Sequence, residues 1–232
     1  MMLTLTKLIT KKNIDSVFNE LKSQLGKELN FVWLGRQKYQ PVWDLQKKIH
    51  SARIDNQIGD TVLFVEHYPV YTLGKNGGKE NILDTAPKDA EIVQIDRGGD
   101  VTYHGPEQLV GYPIIHLKQR EIGVADFVKS TEQIIIKTLE KFNIKSIVKD
   151  GLPGVWVGND KIGAIGYRLS QWVSMHGFAL NLNPDMKYFN GIVPCGNFGY
   201  GVTSIKQQIE TTITLKTLAE EMEKSFITVF NR

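Results

Sequence analysis

Along this chain the apolar positions change period several times, and each change marks an element. Ile14, Val17, Phe18, Leu21 and Leu25 recur at the spacing of one helix face, with Asn13 placed to cap the first turn. Residues 31–34 form a short apolar run that reads as a strand. Pro41 then sits where a first-turn proline belongs, opening a helix through Val42, Leu45 and Ile49 to about Ile54. Residues 61–66 are apolar and brief enough for a buried strand, and 69–73 for a second extended piece. From Gly74 to Ala90 the chain is polar and reads as irregular, and 91–96 as another strand. The stretch 97–108 is interrupted by glycines, lacks a helical period and reads as a loop. Residues 110–117 suit a central strand, except that Pro113 has no N–H to give and calls for an edge or a bulge there. Residues 123–142 carry the strongest helical pattern of the chain, with apolar positions spread widely enough to imply burial.

Short strands are expected near 144–148 and 155–157. Ile162, Ala164, Ile165, Tyr167 and Leu169, then Val173, Met175, Phe178 and Leu180, read as two strands joined by a turn near Ser170 and Gln171. Residues 215–230 close the chain as an amphipathic helix. Strands gathered mostly into hairpins, without regular crossover helices, predict an α/β (α+β) domain with a mixed, largely antiparallel sheet and flanking helices. No linker or internal repeat divides the chain into independent domains, and the first helix reads as an appendage to the core, so residues 1–30 are read as a helical extension and 31–232 as a single domain.

Composition narrows the function only slightly. The 232 residues carry 28 basic and 25 acidic side chains, a net charge of +3, with no run of like charges to form a nucleic-acid arm. No apolar run reaches the roughly 18 residues of a membrane span. A single cysteine excludes an internal disulfide and fits a reducing compartment, which makes the cytoplasm the expected location.

That cysteine, Cys195, lies in a Pro-Cys-Gly tripeptide, 34 residues beyond Lys161, and the intervening hairpin folds the segment back on itself. A cysteine attacks only as thiolate, and a nearby cation such as Lys161 lowers its pKa from about 8.5. A lone cysteine also serves as a small buried hydrophobe, and the segment by itself leaves both readings open. Upstream, Arg97-Gly98-Gly99 places adjacent glycines where backbone N–H groups can approach an anion or a polarised carbonyl; a tight turn carrying a surface arginine fits equally well. Neither a phosphate-loop nor a dinucleotide fingerprint is present. His67, His104 and His176 stand in separate blocks without metal-ligand spacing and read as hydrogen-bonding residues, so no metal is expected. His50 and His116 are read as surface or structural, and the four tryptophans as packing residues.

The run Arg97-Gly98-Gly99-Asp100-Val101-Thr102-Tyr103-His104-Gly105-Pro106, followed by residues 108–113, closely resembles the signature of the lipoyl(octanoyl) transferases of lipoate biosynthesis. Glu66-His67, residues 69–74, 154–157, Lys161-Ile162, 176–181 and Pro194-Cys195-Gly196 follow in that family's order, so the resemblance covers about 31–205. It implies the fold of the lipoate and biotin ligase catalytic domains, a catalytic pair at Cys195 and Lys161, and no cofactor. Substrate contacts would fall on residues 97–104, on Ala164, Ile165 and Gly166, and on Gly177, Phe178 and Ala179. Val101, Tyr103, Ile165 and Phe178 are the expected walls of an acyl slot, lined also by His104 and His176. The implied donor is octanoyl-acyl carrier protein, and the implied acceptors are lipoyl domains of 2-oxoacid dehydrogenase complexes and the glycine cleavage H protein. An ATP-dependent lipoate ligase and a non-catalytic acyl-domain binding protein are the rival readings. The family commonly has His-Gly-Pro-Gly-Gln where this chain has Glu107, a position that then calls for a positive φ.

Overall fold

The computed structural model describes residues 9–10, 13–23, 29–193 and 199–230. In chain order the elements are β1 (Ile9–Thr10), α1 (Ile14–Ser23), β2 (Asn30–Gln37), α2 (Tyr39–Ile54), β3 (Thr61–His67), β4 (Val70–Leu73), β5 (Glu91–Gln94), β6 (Val101–His104) and β7 (Gln108–Ile114). Then follow α3 (Val124–Glu140), β8 (Ile147–Lys149), β9 (Leu152–Val157), β10 (Asp160–Ser170), β11 (Val173–Asn181), β12 (Gly201–Val202), α4 (Ile205–Gln208) and α5 (Leu215–Phe230). Asn13 caps α1 as its position suggests, its Oδ1 accepting from Asp15 N at 3.0 Å, while Leu25 lies outside the described residues.

Among the described residues the large sheet runs β1-β2-β3-β7-β11-β10-β9-β8, with β12 beside β10, and a smaller sheet runs β5-β4-β6. In the large sheet β1, β2 and β3 are parallel neighbours and β12 is parallel to β10; the ladder from β3 through β8 is antiparallel. The mixed, largely antiparallel sheet expected from the hairpin grouping is therefore present.

Alternation along the strands decides which helices cover which face. Phe31, Trp33, Val62, Phe64, Leu109, Phe178 and Leu180 pack under α3 and α5, against Ile134, Ile135, Leu139, Leu218, Met222 and Phe226. Val32, Leu34, Leu63, Val65, Val110 and Ile114 face the other way, against Val42, Leu45 and Ile49 of α2 and Val17 and Leu21 of α1. With both faces covered, every residue of β3 is buried, which is why it reads as a continuous apolar run.

Two local expectations change. Residues 101–104 are a strand, not loop: Val101, Tyr103 and His104 are buried, and β6 pairs antiparallel with β4 from Leu73↔Val101 to Val70↔His104. The glycines on either side hide a four-residue alternation. Pro113 does not put β7 at an edge, because β7 lies between β3 and β11, but it breaks one ladder. Pairing of β7 with β11 runs from Asn181↔Gln108 to Phe178↔Gly111, stops, and resumes in the same register where Ser174 N meets Ile115 O at 3.0 Å. By that register Pro113 lies opposite His176, which adopts φ +61°. The missing ladder partners are replaced by side chains: Gln46 Oε1 accepts from His176 N at 3.1 Å, and Ser174 Oγ donates to Pro113 O at 2.7 Å. Across the hairpin, β10 and β11 stay paired from Gly163↔Leu180 to Ser170↔Val173, closed by Gln171 and Trp172, both left-handed.

Candidate active site

The break in the β7–β11 ladder opens onto a small cavity of about 60 Å³. One wall is the β10–β11 hairpin, through Ala164, Ile165 and Gly166 on one strand and His176, Gly177, Phe178 and Ala179 on the other. Val110 and Tyr112 of β7 and Tyr39 of α2 form the floor, and Ile95, Arg97, Thr102 and His104 close the remaining side.

The small sheet sets that last side by alternation. Val101 and Tyr103 turn away from the cavity into an aromatic cluster with Tyr71, Tyr188 and Ile192, where the Tyr103 and Tyr188 rings stack at 4.5 Å. Thr102 and His104 turn toward it. Phe178 and Ile165 are thus walls of the cavity, and Val101 and Tyr103 are not.

Arg97 is 8% exposed and is held by backbone carbonyls rather than by a carboxylate. Its Nη2 donates to Thr72 O at 3.0 Å and to Asp100 O, and its Nη1 to Gly98 O at 2.9 Å. These bonds explain the local sequence: the side chain folds the following glycines around itself and fixes the loop. Burial lowers the Arg97 pKa from its ordinary value. Gly98 N donates to Tyr167 O at 3.1 Å, so this amide ties the loop to β10 and is not available as an oxyanion donor. Gly99 takes φ +87° and its carbonyl accepts from Asn76 N at 3.1 Å. Asp100 Oδ1 accepts from Asn81 Nδ2 at 2.6 Å. Gly98, Gly99 and Asp100 therefore shape the loop, while Arg97, Thr102 and His104 present side chains to the cavity.

The three histidines are joined to neighbours individually. His67 Nε2 pairs with Tyr112 Oη at 2.8 Å, His104 Nδ1 with Gln108 Oε1 at 2.8 Å, and His176 Nε2 with Asp96 Oδ1 at 2.8 Å. Asp96 Oδ2 also receives Arg168 Nη1 at 2.8 Å. Burial pushes His67 down to about 4, His104 to about 3 and His176 to about 4, so all three rings are neutral at pH 7. His50, expected at the surface or in a structural role, is buried against Val173 O at 3.2 Å.

Lys161 lies further along β10, beyond the cavity-lining residues. Its Nζ donates to Pro153 O at 3.2 Å and sits 4.7 Å from the centroid of the Trp156 ring. Burial lowers its pKa, the direction a proton acceptor needs. Cys195, with Pro194 and Gly196, lies outside the described residues. The chain on either side of it is held: Val193 N donates to Asn81 O at 2.9 Å, and after Gly199 the chain enters β12, where Val202 pairs with Lys161. Tyr39 and Tyr112 are cavity residues that the sequence did not single out; their aromatic character alone does not separate a wall from a core position.

Residues 38–227 match the family model of the lipoyl protein ligase A/B catalytic domain. An octanoyltransferase of Caldicellulosiruptor bescii is 41% identical over 210 residues, covering 88% of this chain and 92% of that protein. Among solved structures, a bipartite lipoate protein ligase from Thermoplasma acidophilum superposes with TM-score 0.68 at 11% identity, over 89% of this chain and 84% of that one. A biotin protein ligase from Aquifex aeolicus gives TM-score 0.51 at 12% identity, over 88% of this chain and 69% of that one. At such identities the two structures speak for the fold alone, whereas the relative at 41% and the family match speak for descent. The chain belongs to the octanoyltransferase family, built on the catalytic domain of the lipoyl protein ligases.

Proposed function

We propose that this octanoyltransferase moves an octanoyl group from the thioester of acyl carrier protein to a specific lysine of a lipoyl domain, in two acyl transfers through Cys195. In the first, the Cys195 thiolate attacks the carrier thioester, the carrier sulfur leaves as its thiolate, and an S-octanoyl enzyme forms. In the second, the lysine amine attacks that thioester, the Cys195 sulfur leaves, and an amide results. The donor is already activated, so no ATP is consumed. Acceptors are the lipoyl domains of 2-oxoacid dehydrogenase complexes and the glycine cleavage H protein. In this reading residues 31–232 are the catalytic domain and 1–30 an appended segment, although α1 packs Val17 and Leu21 against the α2 side of the core.

The observation that carries the reading is the pairing of Val202 with Lys161, which brings the strand that follows Pro194-Cys195-Gly196 alongside a half-buried lysine. Lys161 as ammonium steadies the thiolate, and as amine it takes the proton of the incoming nucleophile. Arg97, Thr102, His104, Ala164, Ile165, Gly166, Gly177, Phe178 and Ala179 enclose the acyl chain, with the loop residues Gly98, Gly99, Asp100, Val101 and Tyr103 supporting that wall. Burial at about 0.8 kcal/mol per methylene makes chain length a source of selectivity.

Intact mass after incubation with octanoyl-carrier protein, without ATP, tests the mechanism. Wild type should gain one octanoyl adduct that hydroxylamine removes, and Cys195→Ser should gain none; a wild type that binds carrier and stays unmodified would sink the reading. Lys161→Ala should lose transfer and move the alkylation profile of Cys195 to higher pH, and an unchanged profile would remove Lys161 from the pair.

A further inference from the structure

Glu132 lies in the middle of α3, 9% exposed, and takes no part in the two acyl transfers. Its Oε1 accepts from Gly154 N at 3.1 Å. The carbonyl half of the same peptide unit, Pro153 O, accepts from Lys161 Nζ at 3.2 Å. The N–H and C=O of a trans peptide point in opposite directions within one rigid plane. A carboxylate anchoring one side of that plane therefore sets where the carbonyl on the other side aims.

The backbone is built for this contact. Gly154 has φ +129°, and a Cβ there would approach Gly163 O at 2.6 Å and Lys161 Cε at 3.4 Å, so only glycine lets the plane lie between helix and lysine. From these contacts we infer that Glu132 is a positioning residue for Lys161, acting through the Pro153–Gly154 peptide to hold the lysine amine against Trp156. The inference rests on Lys161 being the catalytic lysine. It accounts for a buried acid among the apolar residues of α3. Without that acid the peptide can rotate, its carbonyl leaves Nζ, and the ammonium loses an acceptor that favours its charged form.

Glu132→Gln keeps an oxygen at the same reach, whereas Glu132→Asp keeps the charge and withdraws it by one methylene. The expected result is that Glu132→Gln transfers octanoyl within about threefold of wild type, while Glu132→Asp falls at least tenfold in kcat with KM for the carrier unchanged. In Glu132→Asp the limb of the kcat–pH profile that reports Lys161 should also move to lower pH. Among the described residues, Lys149 of β8, whose Nζ is 4.8 Å from the same Trp156 ring, and Asp160, next to Lys161 along β10, also carry charge nearby and remain unchanged in both variants. Two folded variants that match wild type in kcat and pH profile would overturn the inference, as would equal losses in both with no shift in profile. An unchanged alkylation profile of Cys195 in Lys161→Ala would instead sink the reading of Lys161 itself.

Discussion

Glu107 occupies φ +61°, the left-handed region where a side chain costs roughly 1–2 kcal/mol relative to glycine. Its amide donates to Glu66 Oε1 at 2.9 Å and its carbonyl accepts from Leu182 N and Asn183 N, so the turn is fixed by its backbone. Its carboxylate adds a partly exposed pair with Lys206 Nζ at 3.3 Å, worth at most about 1 kcal/mol. Glu107→Gly should accordingly exceed Glu107→Ala in stability by about 1 kcal/mol, because both lose the pair and only glycine relieves the strain; equal urea midpoints would show that the turn is unstrained. The sequence disclosed this site through a single departure from a family pattern. It could not disclose Glu132, since an acid among the helix residues of α3 looks like any solvated position until the fold puts Gly154 beside it.

At the scale of elements, the long periodic segments were legible and the short irregular ones were not. Residues 215–230 and the β10–β11 hairpin follow from apolar spacing that no tertiary contact overrides. Strand β6 was hidden because four residues between glycines give too little period to recognise, and its pairing with β4 comes from the far side of a polar loop. Pro113 announced a defect but not its form, which depends on Gln46 and Ser174 arriving from elsewhere to take the unpaired groups. Gly177 is the other half of that defect: a Cβ there would collide with Gly111 O and lie 2.8 Å from Pro113 Cδ. Both neighbours are rigid. Gly177→Ala should destabilise the protein by about 1–3 kcal/mol, as overpacking does, and depress octanoyl transfer together with stability. A variant with the wild-type urea midpoint would mean that the two strands separate more readily than their contacts imply.

For the molecule as a whole, the histidines whose pKa values burial lowers set a limit on acid tolerance, His67, His104 and His176 most strongly and His50 and His116 in the same direction. The folded pKa values of His67, His104 and His176 lie at about 4, 3 and 4, below the unfolded value near 6.5, so the unfolded chain binds protons first. Their contribution to stability is complete above about pH 6.5 and is lost progressively as pH falls toward 4. Urea midpoints should therefore fall as the pH is taken from 6.5 towards 4.5, the histidines being the side chains whose ordinary pKa lies in that window. His176→Asn, which tolerates the left-handed backbone, should make that decline shallower by up to one proton; an identical slope would exclude His176 from the linkage. The break between β7 and β11 has one more consequence. It is laced at both ends, by Phe178 with Gly111 and by Ser174 with Ile115, so its lips cannot part as a hinge would. On that side the surface is set when the chain folds, so the wall facing the cavity there stands ready-made rather than forming around whatever it meets.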